Sequence, residues 1–198
     1  MKAYCINLNS RPARWEWFKS QNIPFSVERF PAIYDEKGSV GCMKSHLTLL
    51  LKCEDEILIF EDDCEILQDW SIFDMAYSEL PYDWDVLYLG ANLHTKLEKE
   101  SAHLYRLFSG WGTHGIIYRR TAVDKILSYD FNTVAIDRNI DTFIQRRIQT
   151  TMNCFIIYPC FATQKAGHSD IVNQWRAYDD LIPNFYKYTD ESPENILY

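Results

Sequence analysis

Apolar residues in this chain come in two rhythms. One is the short unbroken run, seen most clearly in "ILIF" at 57–60, with related runs in "VLYL" at 86–89, "GIIY" at 115–118 and "CFII" at 154–157. A run of this length without polar alternation predicts a strand covered on both faces. The other rhythm is helical: Val40, Met43, Leu47, Leu50 and Leu51 recur at a helix period inside "GSVGCMKSHLTLLLKCEDE", which opens on two glycines. The same reasoning predicts strands in "KAYCINL", "FSVERF", "EILIF", "WDVLYLG", "HLYRLF", "THGIIYRR" and "CFIIYP". Helices are expected in "SRPARWEWFKSQ", with Ser10 as N-cap and Pro12 in the first turn, and over residues 69–80. Two more follow in "AVDKILSY", capped by Thr121, and in "DRNIDTFIQRRIQ", with Asp137 at its start.

Strands alternating with helices at these lengths imply an α/β layer structure with a mainly parallel central sheet. No repeat or low-complexity linker divides the chain, so residues 1–198 are read as one domain whose last stretch, from 170 to 198, is a less regular tail. Hydrophobic residues make up 47% and charged residues 24%, which fits a folded chain rather than a disordered one. The net charge of −8 disfavours nucleic acid or an anionic membrane as a partner. A negatively charged ligand would then need a metal ion or local arginines. Aromatics reach 15%, which serves core packing and also suits sugar and base sites.

None of the six cysteines forms a C-x-x-C pair, and most sit in apolar runs, as small buried hydrophobes do. The opening "MKAYCINLNS" is too short and polar for a signal peptide, and no apolar run reaches membrane-spanning length. The expectation is a reducing cytoplasm, or that of an infected host if the source is viral. Neither G-x-G-x-x-G nor G-x-x-x-x-G-K-[ST] occurs.

The stretch "ILIFEDDCEI" at 57–66 carries the chemistry. Glu61, Asp62 and Asp63 stand where a buried strand surfaces, and three adjacent carboxylates repel unless a cation gathers them. One reading is a solvated loop. The other is a divalent-metal site at the carboxyl edge of a sheet, where open α/β folds bind ligands. Receiver domains place acids after their first strand, but here about sixty residues precede them. Magnesium phosphotransferases need further acids after other strands, and "WDVLYLG" has its aspartates before the strand. An acidic motif ending a mid-chain strand is the arrangement of nucleotide-sugar transferases, where manganese or magnesium faces the donor diphosphate.

At these residues the chain resembles glycosyltransferase family 25, the lipooligosaccharide and collagen galactosyltransferase type. The likeness rests on an I-N-L-x-x-R-x-x-R opening (Ile6, Asn7, Leu8, Arg11, Arg14), on "RFPAI", and on "GSVGCMKSH" beside the family's G-E-x-G-C-x-x-S-H. It continues through "ILIFEDD", "GIIYRRTA", "AIDRNID" and "SDI", in that order. Ser39 departs from the family's usual Glu, and the long insertions of larger members are missing.

The resemblance implies a single glycosyltransferase A-type, Rossmann-like domain with the nucleotide over the first half of the sheet. Asn7, Leu8, Arg11 and Arg14 then belong to the uridine and phosphate end, with both arginines able to reach diphosphate oxygens. Asp62 and Asp63 resemble the metal-holding end, Glu61 supports from behind, and His168 in "GHSDI" is the candidate for a further ligand. Ser45 and His46 are read as buried and structural. Inversion requires one base, and Asp137 or Asp141, four apart, supplies it, with Asp170 in reserve. Trp111 in "SGWGTHG" is either a stacking platform for the donor sugar or a core residue. The implied activity is metal-dependent, inverting transfer of galactose or glucose from a UDP-sugar to a glycan or protein hydroxyl. The opposing reading is a catalytically inactive, transferase-like module that binds glycans or acts as a scaffold.

Overall fold

In the computed structural model, which describes residues 1–131, 139–169 and 174–189, the unbroken apolar runs are strands buried on both faces. The first half of the chain forms β1 (Lys2–Asn7), α1 (Pro12–Lys19), β2 (Glu28–Pro31), α2 (Gly38–Leu50), β3 (Glu56–Glu61), β4 (Cys64–Ile66), α3 (Trp70–Ser78), β5 (Val86–Tyr88) and β6 (Asn92–Leu93). There follow β7 (Glu98–Lys99), β8 (Leu104–Arg106), β9 (Gly110–Trp111), β10 (Gly115–Arg119), α4 (Arg120–Leu127), α5 (Ile140–Arg147) and β11 (Cys154–Ile157). The described chain closes with β12 (Ala162–Gln164), β13 (Gly167–Ser169), β14 (Gln174–Arg176) and α6 (Leu181–Lys187).

Eight strands form the main sheet in the order β2-β1-β3-β10-β5-β11-β8-β7. The neighbours β2, β1 and β3 are parallel, as are β5 and β11. Strand β10 enters antiparallel between β3 and β5, and β8 is antiparallel to β11 and β7. The sheet is therefore mixed, with a common strand direction broken by β10 and β8. The expectation of a mainly parallel sheet did not foresee β10, because a buried strand's apolar run carries no direction.

Successive side chains on a strand point to opposite faces, and both faces are covered. Tyr4, Ile6, Ile57, Ile59, Tyr88 and Ile116 pack with α2, α4 and α5. Ala3, Cys5, Leu58, Phe60, Leu87 and Ile117 pack with Phe18 of α1 and with Phe73 and Ala76 of α3. All six cysteines are free thiols and five are buried. No described helix is long and apolar enough to cross a membrane.

Helix starts differ in detail from the sequence expectation. Arg11, not Ser10, precedes α1, and α4 begins at Arg120, so Thr121 lies inside its first turn with its hydroxyl donated to the Asp85 carboxylate. Helix α5 begins at Ile140, where the Asn139 side chain accepts from the Asp141 N–H at 3.0 Å. Asp137 and Asp170 lie outside the described residues. Helix α6 was not anticipated; Leu181, Phe185 and Tyr186 are its buried contacts.

Candidate functional site

Parallel pairing brings the carboxyl ends of β1 and β3 to the same edge, with Ile6 opposite Glu61. Asn7 is buried there and acts as a junction: its Oδ1 accepts from Arg29 Nε at 2.8 Å, and its Nδ2 donates to the Arg11 carbonyl at 3.0 Å and to Asp62 Oδ2 at 2.6 Å. The asparagine thus holds Asp62 in place rather than facing a ligand. Nearby, Ser45 Oγ accepts from the Ile33 N–H at 2.8 Å and donates to the Gly41 carbonyl at 2.8 Å, tying α2 to the chain that follows β2. A β-carbon on Gly41 would sit 2.5 Å from the Ile33 carbonyl oxygen, so the glycine lets the helix start press against that chain.

Between these elements lies a cavity of about 470 Å³. Its floor is Glu61, Asp62 and Asp63; its walls include Leu8, Gly38, Cys42 and Ser45, with Tyr34 and Tyr178 beside them. Arg11, Arg14 and His168 stand on the same cavity, so residues distant in sequence meet here. A smaller space of about 170 Å³ adjoins it, lined by Arg14, Trp17, Asp62, Asp63 and Lys165.

The three acids have different partners. Glu61 Oε1 receives His46 Nε2 at 3.1 Å and the Thr113 hydroxyl at 2.5 Å. Burial works against its charge, but the His46 and Thr113 hydrogen bonds outweigh this and hold its carboxyl below the usual range. Asp62 accepts from Arg14 at 3.0 Å as well as from Asn7, yet burial still raises it. Asp63 is pushed up to about 7, first by burial and then by the charges of Glu61 and Asp62. Arg14 reaches it at only 3.8 Å, and Asp63 Oδ1 is buried with no hydrogen-bond partner.

This imbalance predicts a stability effect with a definite sign. A carboxyl raised in the fold favours the folded state below its unfolded value, and that contribution disappears as pH rises through about 7. Above that pH the ionised Asp63 is a net cost. Asp63→Asn should therefore stabilise the fold at pH 8 in chelator by on the order of 1–4 kcal/mol, read as a higher melting temperature, and change it less at pH 5. Equal melting of the two proteins at pH 8 would contradict the electrostatic account.

His168 lies on β13 with its ring exposed. Its carbonyl accepts from Arg11 at 2.9 Å and Arg14 at 2.8 Å, and its Nδ1 is 3.4 Å from Arg11. No group of three metal-binding side chains among the described residues includes His168. Asp141 stands outside the cavity lining, accepting from the Gly112 N–H at 3.2 Å, while the neighbouring Thr113 hydroxyl donates to Glu61. Burial, then the Glu61 charge, pushes Asp141 up to about 6. Trp111 is on β9 in the two-stranded β6–β9 sheet, bonded to Gln145, and does not line the cavity.

Sequence reasoning missed Thr113, Cys42 and His46 as the surroundings of Glu61. The one signal available was the spacing of Cys42 and His46, one turn apart on a predicted helix. Thr113 carried none, since its position depends on β10 pairing with β3.

Comparison with protein-family models and with curated proteins found no match. Among solved structures, the crystal structure of A197 from STIV is similar, with a TM-score of 0.53, 12% identity, and coverage of 91% of this chain and 95% of that one. A mannose-1-phosphate geranyltransferase from Thermus thermophilus follows at TM-score 0.41 and 7% identity, covering 78% of this chain and 58% of that one. A nucleoside-diphosphate-sugar pyrophosphorylase from Vibrio cholerae gives a TM-score of 0.35 and 12% identity, covering 77% of this chain and 70% of that one. At such identities the first likeness speaks to fold alone, and the other two are too weak to bear an argument.

Proposed function

We propose that the chain is a glycosyltransferase A-type enzyme of the family 25 kind, transferring a hexose from a UDP-sugar to a glycan or protein hydroxyl with inversion. The observation that carries this reading is the Asp62–Asp63 pair on the floor of a cavity, at the carboxyl end of a central strand. Their side chains are only 11% and 16% exposed, and one oxygen of Asp63 has no partner. Hard oxygen donors of this kind fit manganese or magnesium. Asp62 and Asp63 would hold the ion, which supplies charge neutralisation for the leaving nucleoside diphosphate.

The chain's own residues account for the rest. Arg11 and Arg14, resting on the His168 carbonyl, are placed to bind diphosphate oxygens by charge-assisted hydrogen bonds. The amino end of α2 opens on the cavity at Gly38 without a side-chain cap, adding N–H groups suited to an anion. Asn7 fixes Asp62, and Glu61 is held ionised behind the pair. Asp141, outside the cavity lining, is the described candidate for the base that takes the acceptor hydroxyl proton, its carboxyl raised toward the working pH while still ionised there. His168 is left out of the metal's ligands and acts as the resting partner of the arginines.

Calorimetry of UDP binding tests the reading. Affinity is expected to rise by about tenfold or more when manganese replaces chelator, and Asp63→Asn should lose most of that gain. Equal affinity in both conditions would overturn it. UDP release from a panel of nucleotide sugars then separates the enzyme from a glycan-binding module, which would bind without turnover.

A further inference from the structure

A second set of donors lies deeper in the cavity wall, and its chemistry differs from that of the aspartate pair. Cys42 and His46 are one turn apart on α2, which puts both side chains on the same face. That face meets the end of β3. His46 Nε2 is 3.1 Å and Cys42 Sγ 3.9 Å from Glu61 Oε1, and the three donor atoms lie within 4.8 Å of one another. A tetrahedral ion with nitrogen and oxygen at about 2.0–2.1 Å and sulfur at about 2.3 Å has ligand–ligand edges of roughly 3.3–3.7 Å. The observed separations straddle that range, so small side-chain adjustments suffice.

We propose that Cys42, His46 and Glu61 form a site for one borderline-soft divalent cation of the zinc class. Thiolate and imidazole donors select such an ion, whereas the oxygen-only aspartate pair suits manganese or magnesium. Cys42 and Glu61 also line the cavity, so the remaining coordination position opens toward it. Binding would replace the His46–Glu61 hydrogen bond and release the thiol proton to solvent, leaving a thiolate on the metal. The ion would tie α2 to β3 beside the Thr113 hydroxyl bond. His46 Nδ1 is buried without a partner, so the tautomer that frees Nε2 has no acceptor for its proton. That missing partner should cost about 10- to 100-fold in affinity relative to a fully supported site.

Cobalt is the probe, because thiolate ligation gives a near-ultraviolet charge-transfer band that oxygen ligands do not. Metal-stripped wild-type protein is expected to bind one equivalent of cobalt with that band, and zinc should displace it. Cys42→Ser should lose the band and weaken zinc binding by about tenfold or more, while Asp63→Asn should keep it. No band in the wild type would overturn the proposal, as would a band that survives in Cys42→Ser. The inference stands apart from the UDP-sugar reading, whose own test uses UDP and manganese and reads no thiolate signal.

Discussion

Gly90→Ala is expected to leave no folded protein. Gly90 lies two residues beyond the end of β5, and a β-carbon there would lie 1.8 Å from the Ala162 carbonyl oxygen and 2.9 Å from His114 Nε2. Neither neighbour can give way cheaply. The Ala162 N–H donates to the Leu89 carbonyl at 2.9 Å, and the Leu89 N–H donates to the Gly115 carbonyl at 3.0 Å, so the clash is between backbones already locked together. Relief requires breaking those buried hydrogen bonds or moving β12 off the sheet end. The cost should exceed about 4 kcal/mol, a large share of a typical domain's stability. Gly110→Ala is the control: its nearest contact would be 3.2 Å from the Asn92 carbonyl oxygen, and it should fold with a lower melting temperature. Soluble Gly90→Ala protein with a wild-type melt would refute the packing described.

Asp141→Asn should reduce turnover by about 10²–10⁴-fold while leaving UDP affinity in manganese near that of the wild type. The split is the informative part, because a merely structural acid would alter both. Asp141 must be ionised to accept a proton, and burial followed by the Glu61 charge places its carboxyl at about 6. Turnover should accordingly fall as pH drops through about 6 and be flat above it, and the Asn variant should lack that limb. Steady-state kinetics across that range checks both statements. Full activity in Asp141→Asn would transfer the role to Asp137 or Asp170, both of which lie outside the described residues.

Much of the sheet was legible because burial on both faces leaves unbroken apolar runs in the sequence. The end of the "ILIF" run also located the acids. What could not be read was anything fixed by strand order. Thr113 bonds Glu61 only because β10 runs antiparallel beside β3, and the sequence of β10 does not encode which neighbour it takes. Asn7 was read as facing the nucleotide, and it instead fastens Asp62, since an amide at a buried strand end must satisfy its own hydrogen bonds first. The expectation of His168 as a metal ligand rests on its place in a polar loop. Arg11 and Arg14 instead bond its carbonyl, through pairing between segments that lie 157 and 154 residues apart in the chain.

The position of β3 at the middle of the first sheet half has a kinetic consequence. Its partners are β1, far earlier in the chain, and β10, about as far after it, so none of its ladders is local. Topologies built on distant pairings close large loops before they gain contacts, and they fold slowly. The acids at the end of β3 adjoin one another in the chain, and it is their distant partners Thr113 and Arg14 that should arrive late in folding. A chain cut after Gly90 would keep every acid of the "EDD" stretch and lack the strand that carries Thr113 to it, so no such amino-terminal fragment can report on this site.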